Sequence, residues 1–368
     1  MRMRRLRINW INPRPNLAGG MKSNRLIAEA MVRRGHEVRI VYVSAARPWP
    51  AWTHPRMVLR RIAAEARALG RQRHHLESSI ATLIPVNHAP IRAEDIPDAD
   101  VTIGTWWETM EWVSMWPTSK GVKAYFVRHH ELHGGDPERV RATYRSPCLK
   151  LVIARWLEKL MRETYGSRDV VLVPNGVDWT QFGSPPREKP QRPTVGMLYG
   201  TPSWKGALTA FAALRLVAAQ VPNLRVMAFG REPLKHEHRP PPGLEFYFRP
   251  RQALIPDLYR AATCWLVASQ IEGFGMPGLE AAACRCPIVA TRSGGPEDYV
   301  DDRVSGRLVN VDVPREMADA ILEILGASTD EWRHMSHSSF AIAQRFTWEK
   351  SAEILEAALI NAVENQPA

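Results

Sequence analysis

The chain has 368 residues, 45% apolar and 24% charged, an ordinary globular composition with enough length for two domains. Its net charge of +11 is unevenly placed: residues 1–75 hold 17 Lys/Arg against Glu29, Glu37 and Glu65, a net +14, so the remainder is net −3. No apolar run approaches the roughly 18–20 residues of a membrane span, and no apolar h-region or cleavage site follows the basic N-terminus. Cys148, Cys264, Cys284 and Cys286 have neither zinc nor redox spacing. A cytoplasmic protein with reduced structural thiols is expected, its basic side turned to an anionic surface or partner.

In chain order, residues 7–11 read as a first strand. The turn NPRPNLAGG follows, then a helix from about 21 to 34 with Leu26, Ile27, Ala30 and Met31 at helical spacing. Gly35 ends that helix, and 38–43 is a second strand, which completes a βαβ unit. Residues 55–75 pattern as a basic amphipathic helix. It fits either an anionic membrane surface at the inner face of a membrane or a solvated arginine-rich face. Further strands are expected at 82–86, 100–104, 123–127, 152–154 and 170–173, with helices such as 156–164 between them. Residues 183–193 (GSPPREKPQRP) have linker composition.

A second alternation follows. Strands fall at 194–198, 225–229, 244–248, 264–268 and 288–290. Helices fall near 206–219, 253–262, 277–284, 315–325, 331–344 and 347–363. This pattern predicts an α/β chain of two doubly wound Rossmann-like domains facing across a cleft: 1–182, a linker at 183–193, then 194–346. A C-terminal helix over 347–368 is expected to pack back on the first domain. In open α/β sheets ligands sit beyond the carboxyl ends of the strands.

The most informative stretch is 264–298, CWLVASQIEGFGMPGLEAAACRCPIVATRSGGPED. It reads as strand, glycine loop, helix with Pro277 at its first position, strand and glycine turn. A helix N-terminus behind a glycine loop is a ready anion site. Two carboxylates bracket it, Glu272 and Glu280, which suits a ligand that carries hydroxyl donors as well as phosphate. Gly273-x-Gly275-x-x-Gly278 also spells the dinucleotide fingerprint. That fingerprint belongs after the first strand of its domain with an acid some 20 residues on. Here it follows the fourth, and the next strand ends in Thr291-Arg292. An arginine there suits a 2′-phosphate, so an NADP-dependent oxidoreductase is one alternative.

Asp98-Ala99-Asp100 imitates a metal motif but precedes a strand, at the wrong end of a parallel sheet. Trp204-Lys205-Gly206 opens a helix after a strand, which places a lysine suited to phosphate oxygens at a strand end. Arg128-His129-His130-Glu131 also follows a strand, and histidines there could exchange protons with a substrate hydroxyl.

Glu272-x7-Glu280, in the form EGFGMPGLEA, resembles the signature of retaining glycosyltransferases of family 4, which have the GT-B fold. Gly19-Gly20, RGHEV at 34–38, PNGVD at 174–178 with Phe182, Lys205-Gly206, Ser293-Gly294-Gly295 and Phe346-Thr347-Trp348 resemble the same family in order. YFVRHHE and FGREP are similar to a branch that builds bacterial surface glycans, including rhamnosyltransferases. The resemblance implies a nucleoside-diphosphate sugar held by the C-terminal half, and a glycan or lipid-linked acceptor. Glu272 would accept from the sugar hydroxyls, and Gly273, Phe274, Gly275 and Met276 would present backbone N–H groups to sugar and diphosphate. Glu280 would bind the ribose and Lys205 the diphosphate. Gly19 and Gly20 would let the first helix approach the phosphates, and His129 or His130 would contact the sugar. The family's Gly-Arg pair is Gly200-Thr201 here, so a second phosphate cation is missing or comes from elsewhere, with Arg231 in Phe229-Gly230-Arg231 a candidate substitute.

The resemblance implies no cofactor and no metal, with the leaving diphosphate neutralised by Lys205 and helix dipoles. The third reading is a non-catalytic basic module for nucleic acid or membrane. It explains the basic segment but not the two glutamates, and no specific nucleic acid is expected for the enzyme.

Overall fold

The computed structural model describes residues 4–44 and 74–365. The basic segment expected as a helix at 55–75 lies outside the described residues but for its last two. The described chain divides into two compact units, residues 1–152, 158–173 and 351–368 in the first and 153–157 and 174–350 in the second.

The first unit is built on β1 (Arg7–Asn12), β2 (Glu37–Val43), β3 (Thr82–Val86), β4 (Val101–Gly104), β5 (Val122–Val127), β6 (Leu149–Val152) and β7 (Val170–Leu172). They form one parallel sheet in the order β3-β2-β1-β4-β5-β6-β7. The second unit is built on β8 (Thr194–Tyr199), β9 (Arg225–Gly230), β10 (Glu245–Phe248), β11 (Cys264–Val267), β12 (Ile288–Thr291) and β13 (Gly306–Val309), in the order β10-β9-β8-β11-β12-β13. Each order reverses at the first strand of its sheet, so each unit has a switch point there, where side chains at the carboxyl ends can converge. Parallel strands with helices on both faces read as apolar runs. In the second unit Val195, Met197, Leu266 and Val289 on the sheet pack with Phe211, Leu214, Ile321 and Trp332 from the helices.

Several expectations shift. The strand expected at 152–154 is Leu149–Val152, because Lys150 in its middle looks polar yet is fully buried, its ammonium donating to Ser146 O at 2.6 Å and Cys148 O at 3.4 Å. Strand β13 was not among the expected strands, and the helices Trp107–Ser114 and Pro137–Arg145 fall in gaps where helices were expected without stated bounds. The last of these carries a standard start signal, Asp136 accepting from the Glu138 and Arg139 N–H groups with Pro137 behind it. Residues 183–193 are not a free tether. Arg187 donates to Cys284 O and Ala262 O, and Lys189 to Leu325 O, all inside the second unit. The last helix, Trp348–Glu364, brings Glu356 to Arg34 and His36, the His36 Nε2 at 2.8 Å.

Candidate functional site

In the second unit the carboxyl ends of β8, β11 and β12 collect the expected donor residues. After β8 the chain makes a 3-10 turn, Ser203–Lys205, and Gly206 caps the helix Ala207–Ala218. Gly206 is held at φ +66°, and a Cβ there would lie 1.9 Å from Ala268 O. Only glycine lets this turn press against the end of β11. The Gln270 N–H donates to Trp204 O at 2.7 Å, so the two loops are tied directly.

This places Lys205 against Glu272. Lys205 Nζ donates to Glu272 Oε1 at 2.6 Å, and Ser269 Oγ donates to the same oxygen at 2.7 Å. The two residues expected to grip different parts of a ligand thus grip each other. The physical reason is simple: a cation and a carboxylate at adjacent strand ends, 30% and 13% exposed, attract at short range. The backbone of Glu272 is pinned as well. Its N–H donates to Ser293 O at 2.8 Å, and the Gly295 N–H donates to its carbonyl at 3.1 Å, which explains the Ser293-Gly294-Gly295 turn.

The helix Met276–Ala283 starts from Gly275 at φ +81° with no side-chain cap. Pro277 is its second residue, not its first. A Cβ at Gly275 would meet the Tyr299 hydroxyl at 2.7 Å, and that hydroxyl donates to Gly275 O at 2.7 Å. Phe274 is buried against Tyr299 and Phe346, so it anchors the loop from below. Trp156 Nε1 donates to Gly273 O at 3.1 Å. The loop carbonyls are thereby engaged, while the first-turn N–H groups of a helix have no intrahelical partner. Glu280, on the same helix, accepts from Tyr259 OH at 3.0 Å. Burial, reinforced by Glu280, holds the Tyr259 phenol far above its usual pKa, so it remains a donor.

Arg231 follows β9 and stands beside Arg249, which, after partial burial, lowers its pKa. Arg249 Nε donates to Arg231 O at 2.9 Å. Thr201, in the place of the family's arginine, donates its N–H to Glu232 at 2.9 Å. Arg292, the candidate for a 2′-phosphate, pairs instead with Asp302. The glycine fingerprint follows β11, not β8, the first strand of its sheet, and this removes the geometric basis of the NADP reading.

The other expected residues lie in the first unit. Gly19 and Gly20 are the exposed first residues of the helix Gly19–Arg33, which has no acidic residue in its first turn, and a Cβ on either would meet nothing within 4 Å. After β5, His129 Nδ1 lies 3.1 Å from His130 O, and its ring meets His133 edge-on at 5.3 Å. His130 Nε2 lies 2.8 Å from Tyr165 OH, and burial, then His129, lowers its pKa. Asp98 and Asp100 stand at the amino ends of the strands, engaged by Lys120 and Arg7. Among the described residues no group of three His, Cys, Asp or Glu could hold a metal ion, and no helix is long and apolar enough to cross a membrane.

Ser269, Tyr259, Tyr299 and Trp156 were not singled out from the sequence. A lone serine or aromatic carries no spacing signal, and only Ser269, three residues before Glu272, was findable by proximity.

Residues 192–327 match the family model described as glycosyl transferases group 1. The chain is 41% identical over 102 residues to a D-inositol 3-phosphate glycosyltransferase of Saccharomonospora viridis, covering 27% of this chain and 23% of that one. It is 34% identical over 102 residues to sucrose-phosphate synthase 4 of Arabidopsis thaliana, 27% of this chain and 10% of that one. The chain thus spans at most about a quarter of the length of these curated relatives. Neither is a rhamnosyltransferase.

Among solved structures, Anabaena HepE in complex with UDP superposes with a TM-score of 0.73 at 16% identity, over 96% of this chain and 100% of that one. Sucrose-phosphate synthase from Thermosynechococcus elongatus superposes with a TM-score of 0.70 at 17% identity, over 98% and 100%. The likeness to these solved structures is one of fold, two parallel-sheet Rossmann-like units as in GT-B glycosyltransferases, and within it residues 192–327 match the group 1 glycosyl transferase model.

Proposed function

We propose that the chain transfers a glycosyl group from a nucleoside-diphosphate sugar to a hydroxyl of a glycan or lipid-linked acceptor, with retention of anomeric configuration. The observation that carries this reading is the Lys205–Ser269–Glu272 cluster beside the helix that starts at Gly275. One cation and two helix N-termini stand next to a carboxylate that can accept from sugar hydroxyls. The superposed HepE structures are complexes with UDP and with UDP-glucose, which supports a nucleotide-sugar donor here.

The donor's diphosphate takes Lys205 and the first-turn N–H groups near Met276. Glu272, released from Lys205, turns to the sugar hydroxyls, and Glu280 takes the ribose. As the glycosidic bond to phosphate breaks, negative charge grows on the leaving diphosphate. Lys205 and the aligned peptide dipoles stabilise it most at that moment, which lowers the barrier. The sugar passes through an oxocarbenium-like state. The leaving phosphate accepts the acceptor's proton on the face it departs from, and retention follows. His129 or His130 contacts the sugar.

A thermal-shift panel of UDP-, GDP-, ADP- and dTDP-sugars tests the donor, since a ligand at about 100 times its Kd stabilises by about 2.7 kcal/mol. A shift with none of them refutes the reading. An inverted linkage in the product, read by NMR, refutes retention.

A further inference from the structure

Glu131 closes the strand-end turn that carries the two histidines, and the scheme above gives it no task. Its residue is 1% exposed. Oε2 accepts from the Trp107 N–H at 2.8 Å and from Tyr125 OH at 2.8 Å. The Glu131 N–H donates to Tyr144 OH at 2.8 Å, and Tyr144 OH donates to His129 O at 3.2 Å. Tyr125 lies on β5, Trp107 opens the helix after β4, and Tyr144 lies on the helix Pro137–Arg145. The Tyr125 and Tyr144 rings stack at 5.6 Å. Three separate elements therefore converge on one residue of one turn.

A buried carboxyl is an expensive way to fill space. An ionised one costs several kcal/mol to desolvate, and a leucine would pack without that cost. Glu131 Oε1 is buried and accepts no hydrogen bond from the described residues. The Glu131 carboxyl ties the N-terminus of the helix after β4 to the Tyr125 hydroxyl on β5, and the Glu131 backbone N–H, through Tyr144, reaches the His129 carbonyl.

We infer that Glu131 is a positioning residue that holds the turn of His129 and His130 against the carboxyl ends of β4 and β5, and so sets where the two imidazoles point. The inference rests on the glycosyl-transfer reading only in taking those imidazoles to meet the substrate. Burial pushes the Glu131 carboxyl up to about 8, against the hydrogen bonds from Tyr125 and Trp107 and the charge of Arg128. The groups that face this turn are Arg128 on the turn itself, Tyr125 from β5, Trp107 from its helix, Tyr144 and Arg141 from the helix Pro137–Arg145, His133 beside His129, and Tyr165 behind His130. At neutral pH the protonated form of the carboxyl therefore predominates. Ionisation places a charge in a dry site and loosens the turn, so the histidine-dependent step has an alkaline limb that belongs to Glu131.

The test uses the full chain, UDP-glucose as probe, and three substitutions. Glu131→Gln keeps an acceptor for Trp107 and Tyr125 and does not ionise. Glu131→Leu removes the acceptor. Tyr125→Phe removes one donor and keeps Glu131. Turnover is followed as UDP release across the neutral-to-alkaline range, UDP binding by calorimetry, and the His130 imidazole by NMR titration. Glu131→Gln is expected to keep kcat within about threefold and lose the alkaline limb, whereas Glu131→Leu loses about tenfold or more in kcat with the UDP Kd unchanged. Tyr125→Phe moves both the limb and the His130 titration. Wild-type kcat and His130 titration in the leucine variant overturn the inference, as does an alkaline limb retained by the glutamine variant. If Glu131→Leu does not fold, the other two variants decide. If the wild-type chain releases no UDP from UDP-glucose, the choice of donor or reaction has failed, and the His130 titrations of the variants still decide the positioning role.

Discussion

The contact between Lys205 and Glu272 yields a prediction with opposite signs for two related ligands. The Lys205 ammonium donates to Glu272 Oε1 at 2.6 Å. A diphosphate must displace that carboxylate before it can use Lys205. The pair is partly buried, 30% and 13% exposed, so a charge-assisted hydrogen bond of this kind contributes about 1 kcal/mol once solvent screening is allowed for. Replacing Glu272 by Gln weakens this internal competitor. Free UDP should therefore bind about fivefold more tightly to the variant. UDP-glucose offers sugar hydroxyls that the carboxylate accepts from, and losing those charged hydrogen bonds costs about 1.5–3 kcal/mol. After the gain of about 1 kcal/mol, UDP-glucose should bind about 2- to 30-fold more weakly. Isothermal titration of both ligands against both proteins gives four constants, and the ratio of the two affinities should shift by about 10- to 150-fold in favour of free UDP between wild type and variant. A Glu272→Gln protein that binds free UDP no more tightly than wild type refutes the competition. One that keeps wild-type affinity for UDP-glucose refutes the sugar contact.

Other consequences are as direct. Lys205→Met should weaken UDP and UDP-glucose alike, by about 10- to 100-fold, because the lost contact is to the shared diphosphate; calorimetry that shows loss for only one of them contradicts the assignment. Gly206→Ala should destabilise the second unit by about 1–3 kcal/mol, since the residue sits at φ +66° with Ala268 O in the way; an unchanged melting temperature would disprove the close approach. Glu356→Gln should cost the first unit about 2–3 kcal/mol, because Arg34 and the buried His36 both lose a charged partner. Burial acts to raise the Glu356 pKa, but Arg34 and His36 outweigh it and hold the carboxyl below its ordinary value. Its contribution is therefore present above the ordinary carboxyl range and is lost as pH falls through the depressed value. Melting curves of wild type and variant should converge on acidification, and a gap that stays constant would exclude this linkage.

The two glutamates, the glycine loop and the lysine were legible in the sequence because each sits in a short motif whose context, strand then glycines then helix, is local. What the sequence could not give was their mutual arrangement. Lys205 and Glu272 are 67 residues apart, and nothing in either motif says that they touch. The same holds for Glu131. It stood in plain view after the two histidines, but its partners Trp107, Tyr125 and Tyr144 come from three elements, two of them helices whose bounds the sequence did not mark. Lys150 misled in the other direction: a lysine in mid-strand moved the expected strand by three residues, and only the carbonyls of Ser146 and Cys148 explain why it is buried.

The sequence by itself determined the class of the chain. Alternating apolar runs set two α/β halves, and glycines set the loops at strand ends, because periodicity and turn chemistry act over a few residues. Tertiary structure alone decided the order of the strands, β10-β9-β8-β11-β12-β13 in the second sheet. That order set β8 beside β11 and so brought Lys205 onto Glu272. The physical reason is range. A hydrogen bond or ion pair forms wherever folding brings two groups within about 3 Å, and chain separation leaves no trace of it in either local pattern.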